Sequence, residues 1–300
     1  MADDLFDMHC HLGFYDDPAV AARTLAHSGV SALCATVTPR EYERVSAALA
    51  IEPNVRVGVG LHPWWLADGS CGEADVGRAA ELARRARYVA EVGLDFAHGR
   101  GESAPAQLDA LGRVLDACAG GAHVLSVHAV RAGTPLLDLL EEHGTCDGNT
   151  VVLHWFSGTG DEVARARRMG CLFSVGARML ATRRGREYAR QIPARRLLLE
   201  TDLPSSREDG ARRAPGEQAA ELRQALDALC ELHGPDAARL IAETSARLLG
   251  VRPWAASAPG PASTQTSERR TGTGTDGPES RLPKSSSDAA TAPYNHALRS

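Results

Sequence analysis

A chain of 300 residues with 43% hydrophobic content can bury the core of one large α/β barrel or of two smaller domains. Its formal net charge of −5 excludes a broad basic footprint, so any nucleic-acid contact has to be local rather than wrapping. No apolar run approaches the roughly 20 residues of a bilayer-spanning helix. Residues 1–20 carry five aspartates instead of a basic, apolar leader, so a cytoplasmic location is expected.

Strand-like runs alternate with helical patterns to about residue 250. The runs are Leu5–Met8, Val30–Val37, Val55–Leu61, Tyr88–Leu94, His123–Val127, Thr150–Leu153, Cys171–Val175 and Leu197–Glu200. Most are continuous in Val, Leu and Ala, the pattern of parallel strands covered on both faces. Helical segments lie between them at Pro18–His27, Pro39–Ala50, Glu73–Ala86, Ala104–Ala119, Pro135–His143, Asp161–Met169 and Arg183–Gln191. Asp17 before Pro18 and Thr134 before Pro135 are good start signals, and Gly29, Gly144 and Gly170 are good stops. Eight strands, seven intervening helices and a final pair at Gly216–Leu232 and Pro235–Leu249 predict a TIM (β/α)8 barrel closed by a C-terminal helical pair. An open doubly wound sheet is disfavoured, because no G-x-G-x-x-G follows the first strand. The barrel is expected over residues 1–252. Residues 253–300, rich in Ala, Ser, Thr, Pro and Gly, are expected to form a disordered tail, since they offer little apolar surface to offset ordering entropy.

The seven cysteines are scattered without a C-x-x-C pair, which predicts neither a disulfide framework nor a zinc ribbon. Lys284 is the single lysine.

In a TIM barrel the functional residues sit at the C-terminal ends of the strands. The first strand ends in Asp7-Met8-His9-Cys10-His11, and the period of a strand sends His9 and His11 to one side, with Asp7 a step earlier. Paired imidazoles suit a divalent ion such as zinc or manganese, although H-x-H alone is too short to be specific. The third strand ends in Gly60-Leu61-His62-Pro63 and the fourth in Glu91-Val92-Gly93-Leu94-Asp95. The fifth ends at His128, the sixth in His154-Trp155-Phe156-Ser157-Gly158, and the eighth in Glu200-Thr201-Asp202-Leu203-Pro204. Any one of these polar residues is accounted for by ordinary strand-end hydrogen bonding. Six of eight strands delivering one at the same end is not.

The ordered set D-x-H-x-H, G-x-H-P, E-x-G-L-D, a strand-end His, H-x-F-x-G and E-T-D-x-P, spread over residues 5 to about 250, resembles the TatD family of metal-dependent nucleases. The resemblance implies two divalent ions (Mg2+, Mn2+ or Zn2+): one held by His9, His11, Glu91 and Asp202, the other by Glu91, His128 and His154, with Glu91 bridging. It implies a place for His62 beside the scissile phosphate, as a donor or orienting group. Such a pair of ions acidifies a water and clamps phosphoryl oxygens, and Asp202 is also placed to take the water's proton. The expected catalytic residues are thus Asp202, Glu91 and His62. The expected substrates are single-stranded DNA ends, with RNA as a second candidate, attacked by an exonuclease.

The chief alternative is an amidohydrolase of the same barrel acting on a small amide, lactone or phosphoester; a metal-binding adaptor without catalysis is a weaker one. The absence of lysine before Lys284 excludes amidohydrolases that bridge their ions with a carboxylated lysine, leaving Glu91 for that role. Asp7, Glu200 and Asp95 are candidates to hold the second nitrogens of ligand histidines. Arg131, Arg178, Arg183 and Arg184 are candidates for phosphate contact or plain solvated helix-face charges, and Trp64 and Trp65 for base stacking or loop packing, while Trp155, also beside a site residue, is expected to pack between helix and barrel. The chain departs from the family pattern at Gly13, where an acidic or amide residue is usual, at Arg131, one position late, and at Glu243-Thr244-Ser245, where Asn-Thr is usual. The words Leu-His-Trp-Phe-Ser-Gly and Phe-Ser-Val-Gly are similar to those of the TatD-like component of Qat anti-phage systems, which adds antiviral defence and protein partners to the expectations.

Overall fold

The computed structural model describes residues 5–251; the segment expected as a tail lies outside the described residues. Nine strands are present among them: β1 (Leu5–Cys10), β2 (Val30–Cys34), β3 (Val55–Val57), β4 (Val59–Leu61), β5 (Tyr88–Asp95), β6 (Val124–Val130), β7 (Thr150–His154), β8 (Leu172–Val175) and β9 (Leu197–Leu199). All pair in parallel with their neighbours in chain order, β1 to β3 in one run and β4 to β9 in another. The expected third strand is thus split at Gly58, whose N–H turns to Cys34 O at 2.9 Å. There the chain runs tight against its neighbours: a Cβ on Gly58 would lie 2.6 Å from Ala90 Cβ, and one on Gly60 only 1.5 Å from Thr36 O. Across the split, Thr36 N donates to Ala90 O and Glu91 N to Thr36 O, each at 2.8 Å, so the two runs stay joined. The other seam is closed by Asp202 N to His9 O at 2.9 Å and His11 N to Leu203 O at 2.8 Å. The architecture is the expected (β/α)8 barrel.

Helices cover the barrel from outside, among them Pro18–His27, Pro39–Ala48, Glu73–Ala83, Ala104–Ala117, Gly133–Glu142, Gly160–Met169 and Arg183–Gln191. Asp17 caps the first of these by accepting from the N–H groups of Ala19 and Val20, and Thr38 caps the second through Glu41 N. Their apolar faces pack on the strands in one large buried cluster that includes Leu25, Val45, Leu111, Leu137 and Leu222. A second cluster gathers Phe6, Met8, Leu33, Ala90, Val124, Val152, Leu172 and Leu198 from the strands. Ala246, Leu248 and Leu249, from the end of helix Asp236–Leu249, complete it. Tyr88 Oη donates to Leu248 O at 3.1 Å, tying that helix to the start of β5. One end of the barrel is therefore plugged with hydrocarbon, and polar chemistry is confined to the other. No described helix is long and apolar enough to cross a membrane.

Candidate metal centre

At the C-terminal ends of the strands, the alternation of side chains fills the barrel mouth. On β6, Val124 belongs to the apolar plug and Ser126 and His128 follow it at steps of two; on β7, His154 follows Val152 in the same way. The β1 and β5 strands depart from this rule. Register shifts between Asp7 and Cys10, and between Val89 and Val92, let His9 enter the site directly after plug residue Met8, and Glu91 directly after Ala90.

Five imidazoles surround the Glu91 carboxylate, and its two oxygens divide them. Oε2 faces His9 Nε2 at 3.4 Å and His11 Nε2 at 3.6 Å. Oε1 faces His128 Nδ1 at 2.8 Å, His154 Nε2 at 2.7 Å and His62 Nε2 at 3.3 Å. Asp202 Oδ1 stands on the Oε2 side, 3.2 Å from His11 Nε2 and 3.8 Å from His9 Nε2. Every one of these side chains is buried. Ligand atoms of His9, His11 and Glu91, of His9, His154 and Asp202, and of His62, Glu91 and His128 lie within 4.8 Å of one another. His9 Nε2 and Glu91 Oε2 have no hydrogen-bond partner although both are buried. An unsatisfied buried nitrogen and carboxylate oxygen are costly, and a cation between them removes that cost. The donor set of imidazole and carboxylate fits a divalent ion.

The outer nitrogens are also held. His9 Nδ1 meets Ser126 Oγ at 2.7 Å, His128 Nε2 meets Asp95 Oδ2 at 3.3 Å, and His154 Nδ1 faces Glu200 Oε2 at 3.6 Å. Glu200 is fixed in turn by Ser174 Oγ and by Trp155 N at 2.9 Å. Two of the three expected orienting carboxylates, Asp95 and Glu200, therefore face histidines. The third, Asp7, instead accepts from Thr201 N at 3.0 Å and Thr201 Oγ1 at 2.6 Å, bracing the residue before Asp202, whose φ is +58°. Ser126 was not singled out from the sequence; the signal available was its place two residues before His128 on the same strand face.

His62 differs from the other four rings. Its Nδ1 accepts the N–H of Trp64 at 3.2 Å and so caps helix Pro63–Ala67. With that lone pair engaged, the neutral ring carries its proton on Nε2, pointing at Glu91. Burial pulls its pKa down to about 4, which keeps the ring neutral. Burial also opposes the charge on Glu91, but the neighbouring His62, His154 and His9 outweigh it and hold the carboxyl well below its usual range. Asp202 is lowered against burial in the same way, by His11 and His154. His154 is pushed well above the ordinary histidine value by Glu91 and Glu200 in spite of burial, and His128 is raised by Asp95 and Glu91.

The remaining candidates fall at the rim. Trp64 donates its indole N–H to Asp95, and the Arg100 guanidinium stacks 4.6 Å from its ring. Trp65 and Trp155 pack against the core, and Arg178 lies 4.9 Å over Trp155 while donating to Thr201 O. Arg184 donates to Ser157 O and Gly158 O; Arg131 and Arg183 are exposed. At Gly13 a Cβ would lie 2.5 Å from Glu41 Oε1, so the carboxylate of Glu41 fills the space beside the first strand's end. A groove of about 520 Å3 between helices Ala177–Leu180 and Glu217–His233 borders none of the clustered residues.

The family model for TatD related DNase matches residues 6–249. The chain belongs to the TatD family. Deoxyribonuclease TATDN3 of Homo sapiens is 28% identical over 221 residues, 67% of this chain and 78% of that protein. The 3′-5′ ssDNA/RNA exonuclease TatD of Citrobacter rodentium (strain ICC168) is 32% identical over 254 residues, 79% of this chain and 92% of that protein. Among solved structures, the TatD homologue YjjV of Escherichia coli K12 superposes with a TM-score of 0.69 at 24% identity, covering 84% of this chain and all of that one, which supports the fold. As a TatD protein the chain is a metal-dependent hydrolase of the deoxyribonuclease type.

Proposed function

We propose that this TatD protein is an exonuclease that hydrolyses phosphodiester bonds at single-stranded DNA ends, and RNA ends as well, with two divalent ions bridged by Glu91. The observation that carries the proposal is the division of Glu91: Oε2 turned to His9 and His11 beside Asp202, Oε1 to His128 and His154. A carboxylate shared in this way provides two adjoining ligand sets, His9–His11–Glu91–Asp202 and Glu91–His128–His154. When bound, the two ions supply charge neutralisation for the phosphodiester and acidify a water to the point where it is nucleophilic near neutral pH.

The chain's own groups do the rest. His62 Nε2–H points into the mouth as a hydrogen-bond donor, suited to a phosphoryl oxygen as negative charge builds there. Asp202, held ionised, is the group placed to accept the proton of the attacking water. Ser126, Asp95 and Glu200 fix ring orientations, so that the ligand nitrogens face inward before substrate arrives. The confined mouth, with every ligand buried, suits an unpaired strand end better than the interior of a duplex. Attack from the 3′ end is proposed from the relative in Citrobacter rodentium.

The test is to strip the protein of metal, restore Mg2+, Mn2+ and Zn2+ singly, and follow cleavage of end-labelled single- and double-stranded oligonucleotides. Stepwise shortening of the single strand from its 3′ end is expected. Two bound ions with no cleavage of any oligonucleotide would overturn the nuclease assignment in favour of an amide or lactone substrate.

A further inference from the structure

The opposite end of the barrel carries a group of arginines that the hydrolytic site does not use. Arg167 and Arg168 lie in the last turn of helix Gly160–Met169, and Arg195 and Arg196 in the turn just before β9. With Ala164 and Pro193 they line an open cavity of about 310 Å3 that has no carboxylate in its wall. Arg167 and Arg196 are half-buried, and Arg168 and Arg195 exposed. None of the four lies within ion-pairing distance of an acidic group among the described residues. Elsewhere arginines are amply paired: Arg78 is shared by Glu43 and Glu81, Arg165 by Asp138 and Glu141, and Arg213 by Asp209, Glu217 and Glu221.

The helix end does not balance this charge. A helix C-terminus offers roughly half an elementary negative charge, against four guanidinium groups. Arg196 Nη1 donates to Arg167 O, which caps the helix and fixes Arg196 at the cavity wall, but a carbonyl neutralises nothing. A protein of net charge −5 thus concentrates four uncompensated positive charges around one concavity. Guanidinium groups make paired, charge-assisted hydrogen bonds to phosphate oxygens, and four of them suit a ligand with more than one phosphate.

We propose that this cavity is a second anion site, distinct from the metal centre, that binds a run of phosphates. Free polyphosphate and the backbone of a nucleic-acid strand share that chemistry, and the experiment separates them. Full-length protein with its ions bound is titrated calorimetrically with inorganic tripolyphosphate in excess Mg2+, beside the double variant Arg168→Glu/Arg195→Glu. Both residues are exposed, and circular dichroism checks that the variant is folded. The expected result is a binding event in the parent that weakens at least tenfold in the variant. The second arm compares KM for a trinucleotide and a 20-nucleotide strand. A severalfold rise for the long strand alone identifies the backbone as the ligand. Unchanged KM for both, with tripolyphosphate binding lost, identifies free polyphosphate. Equal tripolyphosphate binding and equal KM values in parent and variant would overturn the proposal. The calorimetric arm does not depend on nuclease activity, so its failure is separable from failure of the assigned function.

Discussion

His62 shows how a backbone contact settles a side chain's chemistry. Because Nδ1 takes the Trp64 N–H, the ring can only donate through Nε2, which suits phosphate contact and not metal ligation. Asparagine at this position keeps an N-cap while removing the ring donor. His62→Asn is therefore expected to bind its ions normally but lose about 100- to 1000-fold in kcat. Metal content per chain and single-turnover rates check this; loss of an ion in the variant would make His62 a ligand after all. Ser126 acts on His9 from across the barrel, and Ser126→Ala is expected to weaken metal affinity roughly 10- to 100-fold, read by calorimetry. The histidine pKa shifts give a pH dependence. Glu91 and Glu200 raise His154, and Asp95 and Glu91 raise His128, so an incoming cation must displace protons that these rings hold above the ordinary histidine range. Affinity for the ions should rise between about pH 6 and pH 8 with net proton release, measurable in buffers of different ionisation enthalpy. An affinity flat across that interval would contradict it. At this scale the clustering of His9, His11, Glu91, His128, His154 and Asp202 was legible from their order along the chain, because each lies at a strand end. The hydrogen-bond partners were not: Asp7 and Glu200 look equivalent in sequence, yet Asp7 braces Thr201 and Glu200 faces His154.

Among the elements, the strands and the helices between them follow the hydrophobic runs and glycine stops closely, and the third strand's break at Gly58 does not. That break arises from backbone crowding, which no local pattern announces. Gly60 supports the Thr36 carbonyl at a distance that leaves no room for a methyl group. Gly60→Ala should cost about 3 kcal/mol, lowering Tm by roughly 10 °C in thermal unfolding followed by circular dichroism. The register shifts in β1 and β5 are equally invisible to alternation. Counted from plug residues Met8 and Ala90, strict period two would turn His9 and Glu91 away from the interior, and the shifts bring both into the mouth instead. Gly13, a departure from the family pattern, has a local explanation in Glu41, which occupies the space a side chain would need. Gly13→Asp is expected to be destabilising through both overlap and like charge.

At the scale of the whole molecule, the barrel separates its functions by end. Hydrocarbon from seven strands and the helix Asp236–Leu249 plugs one end, and imidazoles and carboxylates fill the other. The eightfold alternation made the fold legible in advance, and the absence of lysine before Lys284 singled out Glu91 as the candidate bridge. The arginine cavity was not, because residues 167–168 and 195–196 meet only through the packing of one helix end against the approach to β9. The central claim is that one carboxylate, Glu91, assembles two ions into a single phosphodiester-cleaving unit. Titrating metal-stripped protein with the most activating ion while following oligonucleotide cleavage tests it directly. Activity should rise only as the second ion binds and break at two equivalents per chain. Full activity at one equivalent, or in a Glu91→Ala variant, would contradict the account.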